Sequence, residues 1–222
     1  MQGLRDRVAY GTVRAIRGSF DFFTRFRPDM PEGQWLNRMI FLETIAGIPG
    51  MIGGMMRHLR SLRTMSHDGG WIHHLMEEAE NERMHLFTFL ELKQPTMLQK
   101  ALIMLGQGIM FWGYGLFYLL TPKTCHRFVG YLEEEAVLTY TKCLAQIDSG
   151  SLQHWQTTPA SQNAKLYWRL PDSATMRDVI LVIRADETMH REVNHHFSGL
   201  PSSAAMDQEE LTVDDVRFPE EP

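Results

Sequence analysis

Four long stretches of this 222-residue chain place an apolar residue at every third or fourth position, and each stripe also carries a glutamate. One reads Leu36, Ile40, Glu43, Gly47 and Gly50. The second reads Trp71, Leu75, Ala79, Glu82, His85 or Leu86, and Phe89. The third reads Val129, Glu133, Ala136 or Val137, Tyr140, Leu144 and Ile147, and the fourth Val179, Ile183, Asp186 or Glu187, His190, Val193 and Phe197. That period belongs to the buried face of an α-helix. A carboxylate on such a face is costly to bury unless a proton, a counter-charge or a metal ion offsets it. The chain is thus constrained to helices that bring several acids into one core.

Six helices are expected, over 5–27, 34–65, 70–93, 96–120, 123–148 and 174–198. They are separated by Pro28 with Pro31, Gly69-Gly70, Pro95, Pro122 and a polar stretch around Pro159. A short helical piece containing Tyr167 and Trp168 is expected before the last of them. No stretch alternates as a half-buried strand would, so the fold class is all-α. The length suits a single domain over 1–200. Residues 201–222 read as a flexible acidic tail, the last seventeen residues holding seven acids and one arginine.

A formal net charge of -5 argues against a nucleic-acid partner. Two cysteines, Cys125 and Cys143, are too few for a disulfide framework, which points to a reduced compartment. Residues 1–27 hold six arginines against two aspartates, interleaved with Val8, Ile16 and four phenylalanines. That composition reads as a membrane-associating amphipathic helix, with an ordinary basic surface helix as the alternative. No apolar run with a small-residue cleavage site marks a signal peptide.

Glu82 and His85 lie three residues apart, as do Glu187 and His190, so each pair shares one helix face. A third pair, Glu192 and His195, reads as surface, because Glu192 is rotated by about 200° from His190. With Glu43 and Glu133 the set becomes one Glu from each of two helices and Glu-x-x-His from each of two others. That is the ligand set of ferritin-like di-iron and di-manganese bundles. Four carboxylates and two neutral imidazoles carry a charge that two divalent ions balance, and the absence of thiolates suits iron or manganese. Glu133 is chosen over Glu134 and Glu135 because it lies seven residues before Tyr140, on its face; the other two are left partly solvated or paired with arginine.

The motifs "FLETIAG" (41–47), "NERMHL" (81–86), "LEEEAVLTYT" (132–141) and "RADETMHREVNH" (184–195) resemble, in order, the four signature regions of the alternative oxidases. The resemblance runs over residues 8–198. It implies a ferritin-like four-helix bundle with two non-haem iron ions, plus two helices forming a membrane-surface face. It also implies a cyanide-insensitive ubiquinol oxidase that reduces dioxygen to water without pumping protons, and a homodimer. The family's iron ligands fall on Glu43, Glu82, His85, Glu133, Glu187 and His190, and its tyrosine near the irons on Tyr140. Its supporting network is similar to Asn81, Tyr167, Trp168 and Asp186, and its quinol pocket to Arg38, Leu42, Ala136 and Thr139. Plastid plastoquinol oxidases vary the "NERMHL" motif, so ubiquinol is the expected substrate.

The chain begins almost at the first helix, without the leader and regulatory cysteine of plant members. That favours a bacterial protein on the cytoplasmic face of its inner membrane. A trimmed mitochondrial protein on the matrix face of the inner membrane is the other reading.

Ala101–Thr121 has no charged residue and is long enough to cross a hydrocarbon core of about 30 Å. Glu82 and His85 precede it, however, and Glu133 follows it, so a crossing would split one centre across the bilayer. A monotopic protein seated in one leaflet is therefore expected; a buried core or dimer helix is the alternative. Two other classes compete with the oxidase: a soluble ferritin-like oxygenase or iron store, and a metal-free helical scaffold. The first gives no use for the apolar surfaces, the second none for six ligand-type residues on buried stripes.

Overall fold

Local sequence sets where the helices start and stop. In a computed structural model, which describes residues 3–27 and 29–200, α4 (Met97–Leu120) starts at a reciprocal cap. Thr96 Oγ1 accepts from the Gln99 amide at 3.2 Å, and Gln99 Oε1 accepts from the Thr96 amide at 2.7 Å. The same device starts α7 (Met176–Gly199), with Thr175 paired to Asp178. Pro122 opens α5 (Pro122–Asp148), where its missing N–H costs nothing. Arg25 and Met65, at φ of 51° and 50°, end α1 (Leu4–Thr24) and α2 (Glu32–Thr64) in the left-handed conformation. Pro49 lies inside α2, which nonetheless runs unbroken through it over 33 residues in all.

The remaining elements are α3 (Trp71–Leu92), a 3-10 turn (Gln153–Gln156) and α6 (Gln162–Tyr167). The expected helices are therefore present, with ends shifted by a few residues. Trp168 caps α6 rather than lying within it, and the 3-10 turn has no counterpart in the sequence reading. There is no strand among the described residues, only an isolated bridge between Pro159 and Thr175. The acidic tail over 201–222 lies outside the described residues.

The bundle is two tight pairs, α2 with α3 and α5 with α7. Glycine allows the first: a Cβ on Gly50 would sit 2.6 Å from the carbonyl oxygen of Leu75. Helix α1 packs on α5, burying Asp6, Ala9 and Val13, while α4 packs on α2. Between α3 and α7 the packing is sparse.

Apolar layers close both ends. At one end Trp35, Phe89, Ile147, Trp155 and Ile180 are buried together. The indoles there keep their donors satisfied: Trp35 Nε1 donates to Gln146 at 2.7 Å and Trp155 Nε1 to Glu32 at 2.8 Å. At the other end Trp71 stacks on Phe197 with ring centroids 4.0 Å apart. Between them lies a polar layer.

Candidate metal centre

The polar layer gathers the four striped glutamates and two histidines. Glu43 comes from α2, Glu82 and His85 from α3, Glu133 from α5, and Glu187 and His190 from α7. All six are at least nine-tenths buried. They form two overlapping groups, Glu43–Glu82–His85–Glu187 and Glu82–Glu133–Glu187–His190, with candidate ligand atoms within 4.8 Å of one another in each. Glu82 and Glu187 belong to both groups.

These atoms aim at shared space rather than at each other. His190 Nδ1 lies 2.9 Å from Glu82 Oε1, and His85 Nδ1 lies 3.3 Å from Glu43 Oε2. Yet neither nitrogen, nor Glu43 Oε2, either oxygen of Glu82, or Glu187 Oε2 has a hydrogen-bond partner. Buried polar atoms left unpartnered are costly and rare. Six of them converging in one layer fit divalent cations held by carboxylates and imidazoles.

The titration of the cluster points the same way. Burial, reinforced by the charge of Glu82, raises Glu43 well above the usual carboxylate range. Burial likewise raises Glu133, beside Glu187 and Glu82. For Glu82 burial is outweighed by the adjoining rings of His190 and His85, which hold it below the usual range. The surrounding acids raise both rings against the opposing effect of burial. Protons thus stand in for cationic charge, and a bound metal would release them.

Asp186 stands behind His85: its Oδ2 lies 3.1 Å from Nε2, on the side of the ring away from Nδ1. The same oxygen accepts from Asn81 Nδ2 at 2.9 Å and Trp168 Nε1 at 2.8 Å, and Asn81 also donates to the Tyr167 hydroxyl at 3.2 Å. Asn81, Tyr167, Trp168 and Asp186 are therefore one connected set. On the opposite flank the Tyr140 hydroxyl donates to Glu43 Oε1. Burial, followed by the charge of Glu43, raises Tyr140 well above the ordinary phenol range, so it remains a neutral donor.

One helical turn beyond the centre lies a chain of groups the sequence reading did not single out. Glu78 Oε2 accepts from Asn194 Nδ2 at 2.7 Å, and Asn194 Oδ1 accepts from His126 Nδ1 at 3.0 Å. His126 Nε2 accepts from the Tyr118 hydroxyl at 3.0 Å. Burial raises Glu78 to about 7 and lowers His126 to about 4. The available signal was position: Glu78 precedes Glu82 by four residues and Asn194 follows His190 by four.

A narrow apolar cavity of about 200 Å³ leads to the cluster between α1, α2 and α5. Leu42, Ala136 and Thr139 line it, and Glu43, Glu133, Tyr140 and Glu187 form its inner end. Arg38 does not line it. Its guanidinium is buried between Phe20 and Phe26, donating to Asp21 at 2.5 Å and Thr24 at 3.1 Å. The arginine on the cavity wall is Arg17, which donates to Thr139 Oγ1 at 2.8 Å. In the sequence Arg17 and Asp21 are not distinguishable from the other charged residues of α1.

Glu135 pairs with Arg14 at 2.8 Å. Glu192 is exposed, as expected, but His195 is not a surface residue. It packs edge-on against Tyr131 and contacts Glu134 and Arg127, because Gly130 leaves room for its ring on α5.

A helical bundle with this buried layer belongs to the class of carboxylate- and histidine-lined metal bundles. The family model for the alternative oxidases matches residues 1–199. The chain belongs to the alternative oxidase family. It is 49% identical over 207 residues to a mitochondrial alternative oxidase of Emericella nidulans, covering 88% of this chain and 58% of that protein. A mitochondrial alternative oxidase of Trypanosoma brucei brucei is 50% identical over 199 residues, covering 89% and 60%. A protein of Oryza sativa subsp. japonica named ubiquinol oxidase 1b, mitochondrial, is 50% identical over 199 residues, covering 90% and 56%. The chain thus spans between 56% and 60% of the length of these relatives.

Proposed function

We propose that the protein is a terminal ubiquinol oxidase: two quinols supply four electrons and four protons to one dioxygen, giving two waters, without proton pumping and insensitively to cyanide. The observation that carries this reading is the pairing of the six-residue cluster with an apolar cavity ending on it. Membership of the alternative oxidase family and relatives named ubiquinol oxidase support it.

Glu43, Glu82, His85, Glu133, Glu187 and His190 would hold two iron ions. When bound, that pair supplies redox chemistry in two-electron steps, one step per quinol. The protein's own residues do the rest. Leu42, Ala136 and the wall of α1 exclude water from the ring, while Thr139 and Arg17 present polar atoms to a quinol oxygen. Glu43, at the inner end, is suited to accept a quinol proton, and the Tyr140 hydroxyl fixes the orientation of its carboxylate. Arg38 acts from behind, holding Asp21 and hence the Arg17–Asp21 pair, 2.8 Å apart, in place.

A lipid-soluble substrate calls for an apolar approach. Two helices, α2 and α4, are long and apolar enough to cross a membrane. The outer face of α4, with Leu105, Ile109, Trp112 and Leu116, is exposed, as are Phe22 and Phe23 on α1. Gln107 of α4 donates to the carbonyl of Thr44, next to Glu43, so α4 runs beside the metal layer rather than away from it. This favours a monotopic protein resting in one leaflet, its residues 1–200 forming one domain; the homodimer is carried over as part of the same proposal from the family resemblance. Relatives named mitochondrial support a mitochondrial setting; we place the protein there on the matrix face of the inner membrane, and a bacterial cytoplasmic face would serve the same chemistry.

The test is oxygen uptake with a short-chain ubiquinol in the presence of cyanide, on protein of measured iron content. Turnover that scales with iron and vanishes in Glu82→Ala is expected. Wild-type turnover in Glu82→Ala would sink the site assignment, and iron-replete protein inert towards quinol would sink the function.

A further inference from the structure

The sparse contact between α3 and α7 leaves a second opening to the polar layer, on a different wall from the apolar cavity. It is a groove of about 990 Å³, and among the described residues no lysine or arginine lines it. At its rim Glu77 sits between two imidazoles, 3.3 Å from His73 Nε2 and 3.8 Å from His74 Nδ1, with His73 and Glu77 exposed. Further in is Glu78, only 4% exposed, whose Oε1 has no hydrogen-bond partner while its Oε2 is held by Asn194. At the inner end is His190, the most exposed of the six cluster residues at 8%.

We propose that this groove is the route by which divalent metal ions reach the centre, captured at His73, His74 and Glu77 and passed by the free oxygen of Glu78 to His190. The inference rests on the reading that the cluster holds metal. The two openings differ in the chemistry they admit. Arg17 on the wall of the apolar cavity repels a cation, and the apolar lining offers nothing to replace its hydration shell. The groove offers oxygen and imidazole ligands in steps, so an ion exchanges water for protein ligands gradually. Its negative wall also raises the local cation concentration. Glu78 has one oxygen anchored and the other free, the arrangement of a group that takes up an ion briefly without belonging to the final set.

The experiment uses the full-length protein, stripped with a chelator and mixed anaerobically with ferrous iron. Loading is followed by the quenching of tryptophan fluorescence, Trp168 lying 5.8 Å from the His85 ring, and final iron is measured by elemental analysis. Glu77→Gln, which alters only an exposed side chain, and Glu78→Gln, which keeps an acceptor for Asn194, are combined. The pair should load about tenfold more slowly, the lower end of an electrostatic steering effect, and reach the wild-type iron content. Ile16→Trp, narrowing the apolar cavity, should leave the loading rate unchanged. Equal rates in the double variant and wild type overturn the route, as does slow loading confined to Ile16→Trp. An unchanged rate with less final iron in Glu78→Gln overturns it as well, making Glu78 a holder of metal. Wild-type protein that takes up no iron removes the metal centre itself, a failure distinct from the others.

Discussion

Asp186 Oδ2 sits 3.1 Å from the Nε2 atom of His85, while Nδ1 of the same ring faces the buried glutamates. The carboxylate therefore fixes both the tilt of the ring and the tautomer that leaves Nδ1 free to ligate. Asp186→Asn keeps the shape and removes the charge. Its expected effect is a loss of metal affinity of about 10- to 100-fold, measured by competition with a coloured chelator, with the helix content unchanged by circular dichroism.

The exposed face of α4 gives a separate expectation. Leu105→Glu with Leu116→Glu puts two charges where apolar groups are now exposed, without touching a buried contact. Binding to vesicles containing anionic lipid should fall at least about tenfold for the pair, since each burial of a leucine is worth roughly 1.5–3 kcal/mol. Flotation assays with unchanged partitioning would contradict a membrane role for this helix.

Close approach of α2 and α3 is tested at glycine. Gly50→Ala drives a methyl into the Leu75 carbonyl, whereas Gly108 on α4 has nothing within 4 Å of an added Cβ. The first should destabilise by about 1–3 kcal/mol. The second should be neutral or stabilise by up to about 1 kcal/mol through helix propensity. Thermal unfolding of the two variants side by side reads the contrast.

His126 gives a pH prediction with a definite sign. Its folded value of about 4 lies below the ordinary 6.5, so between those values the unfolded chain binds a proton that the folded one refuses. Stability is therefore lost as pH falls from about 6.5 to about 4, by roughly 3 kcal/mol from this group. Glu78, raised to about 7, acts oppositely, losing stability as pH rises from 4.5 to about 7, but it is present in wild type and variant alike. Metal-free His126→Gln should be less stable than wild type at pH 7, and the gap should narrow on acidification. A gap independent of pH would refute the assignment.

Helical periodicity made much of the architecture legible, because a buried stripe leaves its mark residue by residue: the segments and the inward direction of Glu43, Glu82, Glu133 and Glu187 are both written locally. What stayed hidden depends on tertiary closure. Glu78 and Asn194 are 116 residues apart and look like ordinary polar helix residues until α3 and α7 face one another. Arg38 shows the converse. Its place one and a half turns before Glu43 suggests a free guanidinium, but α1 folds back to supply Asp21 and Thr24 as partners. The half-buried place of His195 is equally hidden, because the space for its ring is created by a glycine on another helix.

The two tight helix pairs repeat one design: α2 with α3 offers Glu43 and Glu82-x-x-His85, and α5 with α7 offers Glu133 and Glu187-x-x-His190. The ligand pattern thus repeats between two halves of a single chain, with Glu82 and Glu187, the two residues common to both groups, in corresponding places. The repeat is broken in the surroundings. The residue before Glu187 is a carboxylate, Asp186, and the residue before Glu82 is an amide, Asn81. Tyr140 contacts Glu43 on one side, and Glu78 lies near His190 on the other. Two ions held in such a frame would be chemically unlike neighbours, so one position should fill first and release last.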